Sequence, residues 1–388
     1  MPSLTFTTTL LLPAAAVLGV LGTWIFSTNN GTFPALGVLV DSSFPLLPGT
    51  ADAPLQRVFT GLEPLDRQLR VLVAFFWPLV NGADVGASLQ AFHFAGQGIA
   101  WWTLVVAEGM REGRRGRWLD SPVILGMAMQ NLSAAVTLPI YFLLHLLTRD
   151  SNSTPTSLSI PGPDLAVLPL SITLGAILPT IAMSLPSPTI LSHSTHQSLV
   201  LLWQFFPILT VIAHKLCLTI FTPFLSPNPN RAPPHSPQKP AQPPSPTPPE
   251  TKSPLRTLYT FALLTATLTH ATTLTLTLTP LLLPSLFTPT ALASLHPRLF
   301  LPLVSAKNTS LAGGLTEGIL RFMQWDEAVS AGTAALWGAE LYLRDAGARR
   351  GAWGLLGVLA RLVFWSLVGG PAAAAVAMVW ERDELVLG

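Results

Sequence analysis

The chain has 388 residues, 49% of them hydrophobic and only 10% charged, with a formal net charge of +2. A soluble domain carries about 25% charged residues, so this composition, with a mean hydropathy of +0.50, excludes an ordinary soluble protein and points to a polytopic membrane protein. So small a net charge gives no attraction for nucleic acid; the partner implied by the composition is the lipid bilayer.

The N-terminal stretch "MPSLTFTTTLLLPAAAVLGVLGTWIF" lacks the basic start of a cleaved signal peptide and reads as a retained first span over Leu10–Phe26. A span needs about 17 to 25 mostly apolar residues. Further spans are predicted at Ser88–Val106, Pro122–Leu147, Leu165–Leu185, Ser198–Phe221, Leu255–Leu278 and Trp353–Val379. Two more, Leu65–Val80 and Gly318–Leu343, carry charge. The second of these holds Asp326, Glu327 and Glu340 and would suit a soluble helix, but "SAGTAALWGAELYL" supplies the small residues that pack helices inside bundles. The alternating run "TLTHATTLTLTLTPLLL" looks like a strand, yet one strand cannot cross a membrane; in a helix each threonine can bond back to a carbonyl one turn earlier. The expected fold is all-α, a polytopic transmembrane bundle of eight or nine spans with an internal polar and aromatic cavity, because backbone groups in lipid must be bonded within their own segment.

The spans form one membrane domain in two blocks, 1–225 and 255–388, joined by a Pro-rich, low-complexity loop at 226–254 that cannot bury a core. Cys217 stands alone, which rules out an internal disulfide and a cysteine-based metal site. The short basic loop "REGRRGR" at 111–117 predicts a cytosolic position. One predicted span later, Asn152 opens a glycosylation sequon, which fits a lumenal loop; Asn308 opens another. These features predict a multi-pass glycoprotein of the endoplasmic reticulum membrane.

Polar residues inside the spans fall into stripes, because residues three, four and seven apart share a helix face. Gln90, His93, Gln97, Trp101, Leu104 and Glu108 form one, with Phe92, Ala95, Ile99, Trp102 and Val106 opposite. Gln130, Ala134, Thr137, Tyr141 and His145 form a second, and Asp326, Ser330, Thr333, Trp337 and Glu340 a third. Gln204, Pro207, Val211 and His214 make a fainter one. Amides, histidines and hydroxyls often bond between membrane helices and do nothing else. A carboxyl inside a span costs about 2.5 to 3.5 kcal/mol on insertion scales and usually marks function. Asp326 and Glu340 meet that description, whereas Glu108 has Arg111 three residues on as a structural explanation. Trp101 and Trp337 lie on the same stripes as acids, and aromatic faces attract cations by about 0.5 to 2 kcal/mol. An aromatic cavity supplied with an acid suits a carbocation.

The segments "LDRQLRVLVAFFWPLVNG" (65–82), "FHFAGQGIAWW…EGMREGRRG" (92–116) and "LRFMQWDEAVSAGTAALWGAELYL" (320–343) resemble the fungal integral-membrane terpene cyclases of meroterpenoid pathways, such as those of the macrophorin and ascofuranone routes. The likeness covers the bulk of the chain outside the Pro-rich loop. It departs at Asn81, which precedes Gly82 where an acid would be expected, so no role is carried to it. The resemblance implies a class II-type cyclisation of a prenylated, farnesyl-bearing small molecule: an enzyme acid protonates an epoxide or alkene, ring closures follow, and a base removes the last proton. It implies neither metal nor other cofactor, consistent with the lack of a DDxxD stretch. On this reading Asp326 and Glu108 are the candidate acids, and His93, Gln97, Trp101, Gln130, Trp325, Trp337 and Glu340 line the substrate site. A proton-coupled small-molecule transporter using the same acids, or a scaffold whose polar stripes only join helices, are the alternatives from other classes.

Overall fold

The computed structural model describes residues 5–50, 52–114, 116–149, 153–225, 248–302, 314–345 and 352–388. Residues 226–247 of the expected Pro-rich loop at 226–254 and the sequons at Asn152 and Asn308 lie outside them.

Among the described residues the fold is helical, with no strand beyond an isolated bridge between Leu46 and Pro54. The principal helices are α1 (Thr7–Asn29), α2 (Thr32–Asp41), α3 (Glu63–Val80), α4 (Val85–Gly109), α5 (Pro122–Leu132) and α6 (Ala134–Thr148). Next come α7 (Gly162–Ile172), which runs on through a π-helical turn into Leu178–Met183, then α8 (His193–Gln204), α9 (Phe206–Leu225) and α10 (Pro248–Leu282). The last three are α11 (Leu315–Asp345), α12 (Ala352–Gly369) and α13 (Pro371–Leu387). The start of α10 at Pro248 falls inside the stretch read as a loop.

Among the described residues four helices are long and apolar enough to cross a membrane: Thr7–Asn29, Pro155–Met183, Phe206–Phe224 and Ser253–Leu282. The pair α3 and α4, bent by 102°, passes together and raises the number to five, against the eight or nine expected. The difference has identifiable causes. Two predicted spans are broken, Pro122–Leu147 at Ser133 (φ 76°) and Trp353–Val379 at Gly370 (φ 85°), and a third break at Phe205 moves the predicted span Ser198–Phe221 to Phe206–Phe224. Proline follows two of these breaks closely, at Pro207 and Pro371, where it lacks the N–H and the room to continue a helix. The threonine-rich α10 is helical as expected, its hydroxyls bonding back one turn, for example Thr265 to Phe261 O at 2.8 Å and Thr279 to Thr275 O at 2.6 Å.

The polar helix α11 is the centre of the bundle. It packs against α13, α6, α4 and α1, and it is buried through most of its length. The apolar helices sit outside it and turn large side chains outward, such as Val17, Leu21 and Ile25 on α1 and Leu355, Leu359 and Val363 on α12. The hydropathy that marks a span therefore belongs to the periphery, and the helix carrying the acids is screened by its neighbours.

α5 and α6 form a hairpin rather than one span. Arg114 joins Asp120, just before α5, at 2.7 Å to the carbonyl of His145, near the end of α6, at 3.4 Å. This corrects the expected topology. Arg117 donates to Thr148 O at 2.7 Å and Gly113 N to Ser157 O at 3.1 Å, so the chain on both sides of Asn152 lies at the same end of the bundle as the 111–117 loop. The reversal at Ser133 removes the crossing that had been placed between them.

Candidate functional site

The stripe on α4 is buried at Gln90, His93, Gln97, Trp101, Leu104 and Glu108. On the side expected to face lipid Phe92 is exposed, but Trp102 and Val106 are buried, so the lower half of α4 is enclosed all round. Asp84 starts this helix by accepting from Ala87 N at 2.9 Å, after a turn in which Asn81 accepts from Ala83 N at 2.9 Å and donates to Pro48 O at 3.2 Å. Asn81 is a turn residue in this geometry. From that start the stripe meets three separate sets of partners.

At the first level Gln90 Nε2 donates to Glu327 Oε2 at 2.5 Å, and the other Glu327 oxygen touches His93 Nδ1. His93 Nε2 lies 2.8 Å from His270 Nδ1 of α10, and His270 Nε2 lies 3.2 Å from the carbonyl of Leu367 on α12. The Phe300 ring sits 5.0 Å from the His93 ring. The neighbouring Asp326 turns to α6, where its Oδ1 accepts the amide of Ala135 at 2.6 Å. Trp325 lies against Gly22 of α1, where a Cβ would overlap the indole. The side-chain nitrogen of Gln130, on α5, is buried with no acceptor among the described residues.

At the second level Gln97 clamps the break between α12 and α13. It donates to Gly369 O at 2.9 Å and accepts from Ala372 N at 3.0 Å, satisfying backbone groups freed where the helix stops and restarts. Trp101 is buried one turn further on, its indole nitrogen without an acceptor among the described residues.

At the third level Glu108 belongs to a buried ionic cluster. Its Oε1 receives Arg111 Nε at 2.8 Å and Arg382 Nη2 at 2.6 Å. Asp383 accepts from Arg111 Nη2 at 2.7 Å, from Arg382 Nε at 2.8 Å and from the Tyr259 hydroxyl. His145 Nε2 lies 3.7 Å from Glu108 Oε2, and its Nδ1 accepts from Trp337 Nε1 at 3.2 Å. Trp337 stacks on Phe142 with centroids 4.6 Å apart. Two arginines and two carboxylates balance. For Arg111, in the loop after α4, burial opposes the charge, but Asp383 and Glu108 outweigh it and hold the guanidinium well above its ordinary range.

The sequence-predicted residues therefore divide. His93 and Asp326 share the first level, with Trp325 beside them. Glu108 and Trp337 share the third. Asp326 meets Ala135 and Glu108 faces His145, ten residues further along α6, which is about 15 Å at 1.5 Å per residue. Glu340 lies fourteen residues beyond Asp326 on α11, about 21 Å away, and pairs with Arg344 at 2.7 Å. Sequence reasoning missed Glu327 and His270 as site residues. A lone histidine in the apolar α10 was the available signal, since an ionisable group in a span marks a site by default. Glu327 gave less away, because its helix face is otherwise Ser330, Ala331 and Ala334.

Chemically, the first level holds the one carboxyl of α11 that meets neither a basic side chain nor an imidazole among the described residues: Glu327 has His93, Glu340 has Arg344, and Asp326 has an amide. Among the described residues no three His, Cys, Asp or Glu side chains gather in a metal-binding group.

Known proteins add to this geometry. A family model described as the CtvD domain matches residues 7–387. Terpene cyclase ascI of Acremonium egyptiacum is 31% identical over 343 residues, spanning 84% of this chain and 79% of its own length. Terpene cyclase atmA of Aspergillus flavus is 28% identical across 92% of this chain and 91% of its own. Terpene cyclase ctvD of Aspergillus terreus is 28% identical across 87% and 88%. No solved structure matches the chain.

Proposed function

The chain belongs to the CtvD-domain family, and from that premise we propose that this terpene cyclase works inside the bilayer by acid-initiated, class II-type cyclisation of a farnesyl chain on a meroterpenoid precursor. The enzyme is a multi-pass protein of the endoplasmic reticulum, with the whole bundle in lipid, α11 included, and its apolar substrate enters from the membrane.

Asp326 is the initiating acid. The observation that carries this assignment is its lack of a cationic partner among the described residues, deep in the helix at the centre of the fold. A carboxyl paired with arginine is held as the anion and has no proton to give; one without a cation in apolar surroundings keeps its proton. Oδ1 takes the Ala135 amide, and a carboxyl group can accept there while donating from its other oxygen. The proton goes to the epoxide oxygen or terminal alkene of the substrate. The cation that forms is stabilised by aromatic faces, a role we assign to Trp325 on α11, Trp101 on α4 and Phe300 beside the His93 ring. His93 and Gln130 complete the polar lining. Gln97 shapes the pocket by fixing the α12–α13 break. Glu108, Trp337 and Glu340 are assigned to the ionic end of the bundle, where they hold helices together.

The test is conversion of the linear prenylated precursor by membranes bearing Asp326→Asn or Glu108→Gln at matched expression. Asp326→Asn should reduce turnover by about 10²- to 10⁴-fold, the usual contribution of a general acid. Near wild-type conversion by Asp326→Asn would remove it as the acid.

A further inference from the structure

The carbonyl of Leu367 fixes a chain of proton positions that ends at Glu327. A carbonyl only accepts, so His270 Nε2, 3.2 Å from it, carries the proton. His270 then offers Nδ1 as an acceptor, and the donor to it is His93 Nε2 at 2.8 Å. His93 is left with Nδ1 turned to Glu327 Oε1, while Gln90 holds the other Glu327 oxygen. Three elements thus cooperate: α12 sets the tautomer of His270, α10 sets that of His93, and α4 presents the result to α11. His93 and Glu327 are buried, and no arginine or lysine pairs with either among the described residues.

From this we infer that Glu327 and His93 together are the base that ends the cyclisation, and that His270 is a positioning residue holding His93 in the tautomer able to accept a proton. The inference rests on the acid-initiated reading above. The step balances without a co-reactant. The cyclised cation loses a proton from the carbon beside the cationic centre; the electrons of that C–H bond become the new C=C bond, and the proton goes to the Glu327–His93 pair. Asp326 lost one proton at initiation and is adjacent to Glu327 in the chain. The site therefore gives up a proton at 326 and regains one at 327, and its net charge is the same before initiation and after termination. Conserving charge favours the reaction in a medium where uncompensated charge is costly. Return of the proton from the pair to Asp326 restores the resting enzyme. Adjacent carboxyls take opposite roles because their surroundings differ, one meeting an amide and the other an imidazole.

Two measurements test this on the full-length protein in lipid. The first is ¹⁵N NMR of histidine-labelled enzyme, with His93 assigned by His93→Gln. His93 should show a protonated Nε2 in the wild type, a mixture of tautomers in His270→Ala, and recovery in His270→Gln, whose amide oxygen can accept again. Mixed tautomers in the wild type, or no response to His270→Ala, overturn the proposal. This arm leaves Glu327 and His93 intact in the His270 variants, so it stands even where a Glu327 variant fails to fold. The second is product analysis with a farnesylated resorcinol and its terminal epoxide as probes. Glu327→Gln and His93→Gln should still consume probe, because initiation does not use them, but divide the product into alkene regioisomers and water adducts. Asp326→Asn should consume probe about 10²- to 10⁴-fold more slowly than the wild type. A single wild-type product from both Glu327→Gln and His93→Gln places the base elsewhere. Near wild-type turnover by Asp326→Asn instead refutes the acid assignment, and the product pattern of Glu327→Gln still judges the base.

Discussion

Asp326, on the central helix α11, accepts the backbone amide of Ala135 at 2.6 Å and so caps α6 from outside that helix. Ser133, which precedes α6 with φ 76°, supplies no side-chain cap of its own. One carboxyl therefore serves both a helix terminus and the proposed chemistry, and substitution can separate the two. Asn keeps an acceptor oxygen; Ala keeps none. Asp326→Ala should lower stability by about 0.5 to 2 kcal/mol, the usual range for a lost cap, whereas Asp326→Asn should stay near the wild-type melting temperature while losing turnover. Thermal unfolding in detergent, read beside conversion of precursor, distinguishes these. Equal destabilisation by both variants would mean that Asp326 acts only as a cap.

The ionic cluster predicts a different pattern. Glu108 bridges Arg111 and Arg382 while all three are buried. Removing one member leaves uncompensated charge inside the protein, at a cost of about 3 to 5 kcal/mol. Glu108→Gln should sharply reduce the amount of monodisperse protein on size-exclusion chromatography, and so should Arg382→Gln. The double variant should be more abundant than either single one, because it removes one charge of each sign. If Glu108→Gln is fully abundant but inactive, Glu108 belongs to the chemistry after all.

The sequence revealed helical class and periodicity better than connectivity. The stripes on α4 and α11 are buried where the three- and four-residue spacing placed them, because that spacing is a property of one helix alone. What a stripe faces depends on its neighbours, and Gln90, Gln97 and Glu108 meet three different sets. Glycine and proline announce the break at Gly370, in the run Gly369-Gly370-Pro371. Nothing local announces Ser133, whose reversal is supported by Asp326 from nearly two hundred residues away. The basic loop has a structural part that its sequence does not show: Arg111 and Arg114 are paired with Glu108, Asp383 and Asp120, partners that the chain brings in from other elements.

Gly370 is a second position where backbone and side chain depend on each other. It adopts φ 85°, and a Cβ there would overlap the Gln97 amide. Gly370→Ala should cost about 1 to 3 kcal/mol from backbone strain, with a further loss as Gln97 is pushed from Gly369 O and Ala372 N. Adding Gln97→Ala removes the overlap but also both hydrogen bonds, so the double variant should be no more stable than Gly370→Ala. A double variant restored to the wild-type melting temperature would show that the clash alone matters and that the clamp contributes little.

The hairpin of α5 and α6 makes the last prediction. Trp118, 72% exposed, and Thr154 flank the basic loop and the Asn152 region, which the bonds from Arg117 to Thr148 O and from Gly113 to Ser157 O bring to one end of the bundle. Phe44, 93% exposed, belongs to the opposite end: the Pro48 carbonyl four residues on accepts from Asn81 at 3.2 Å, just before α4 starts, whereas the basic loop follows the end of α4. The single cysteine, Cys217, is buried, so a Cys217→Ser background gives a clean chain for labelling. In sealed microsomes a membrane-impermeant maleimide should label Trp118→Cys and Thr154→Cys alike, both before permeabilisation or both only after it. Phe44→Cys should behave in the opposite way. Arg149 and Asp345 also pair at the end shared by Trp118 and Thr154, so a cysteine at half-buried Glu384, which pairs with Arg256 in the N-terminal part of α10, should follow them. Opposite labelling of Trp118→Cys and Thr154→Cys would restore a full crossing over Pro122–Leu147 and break the hairpin that carries Ala135 to Asp326.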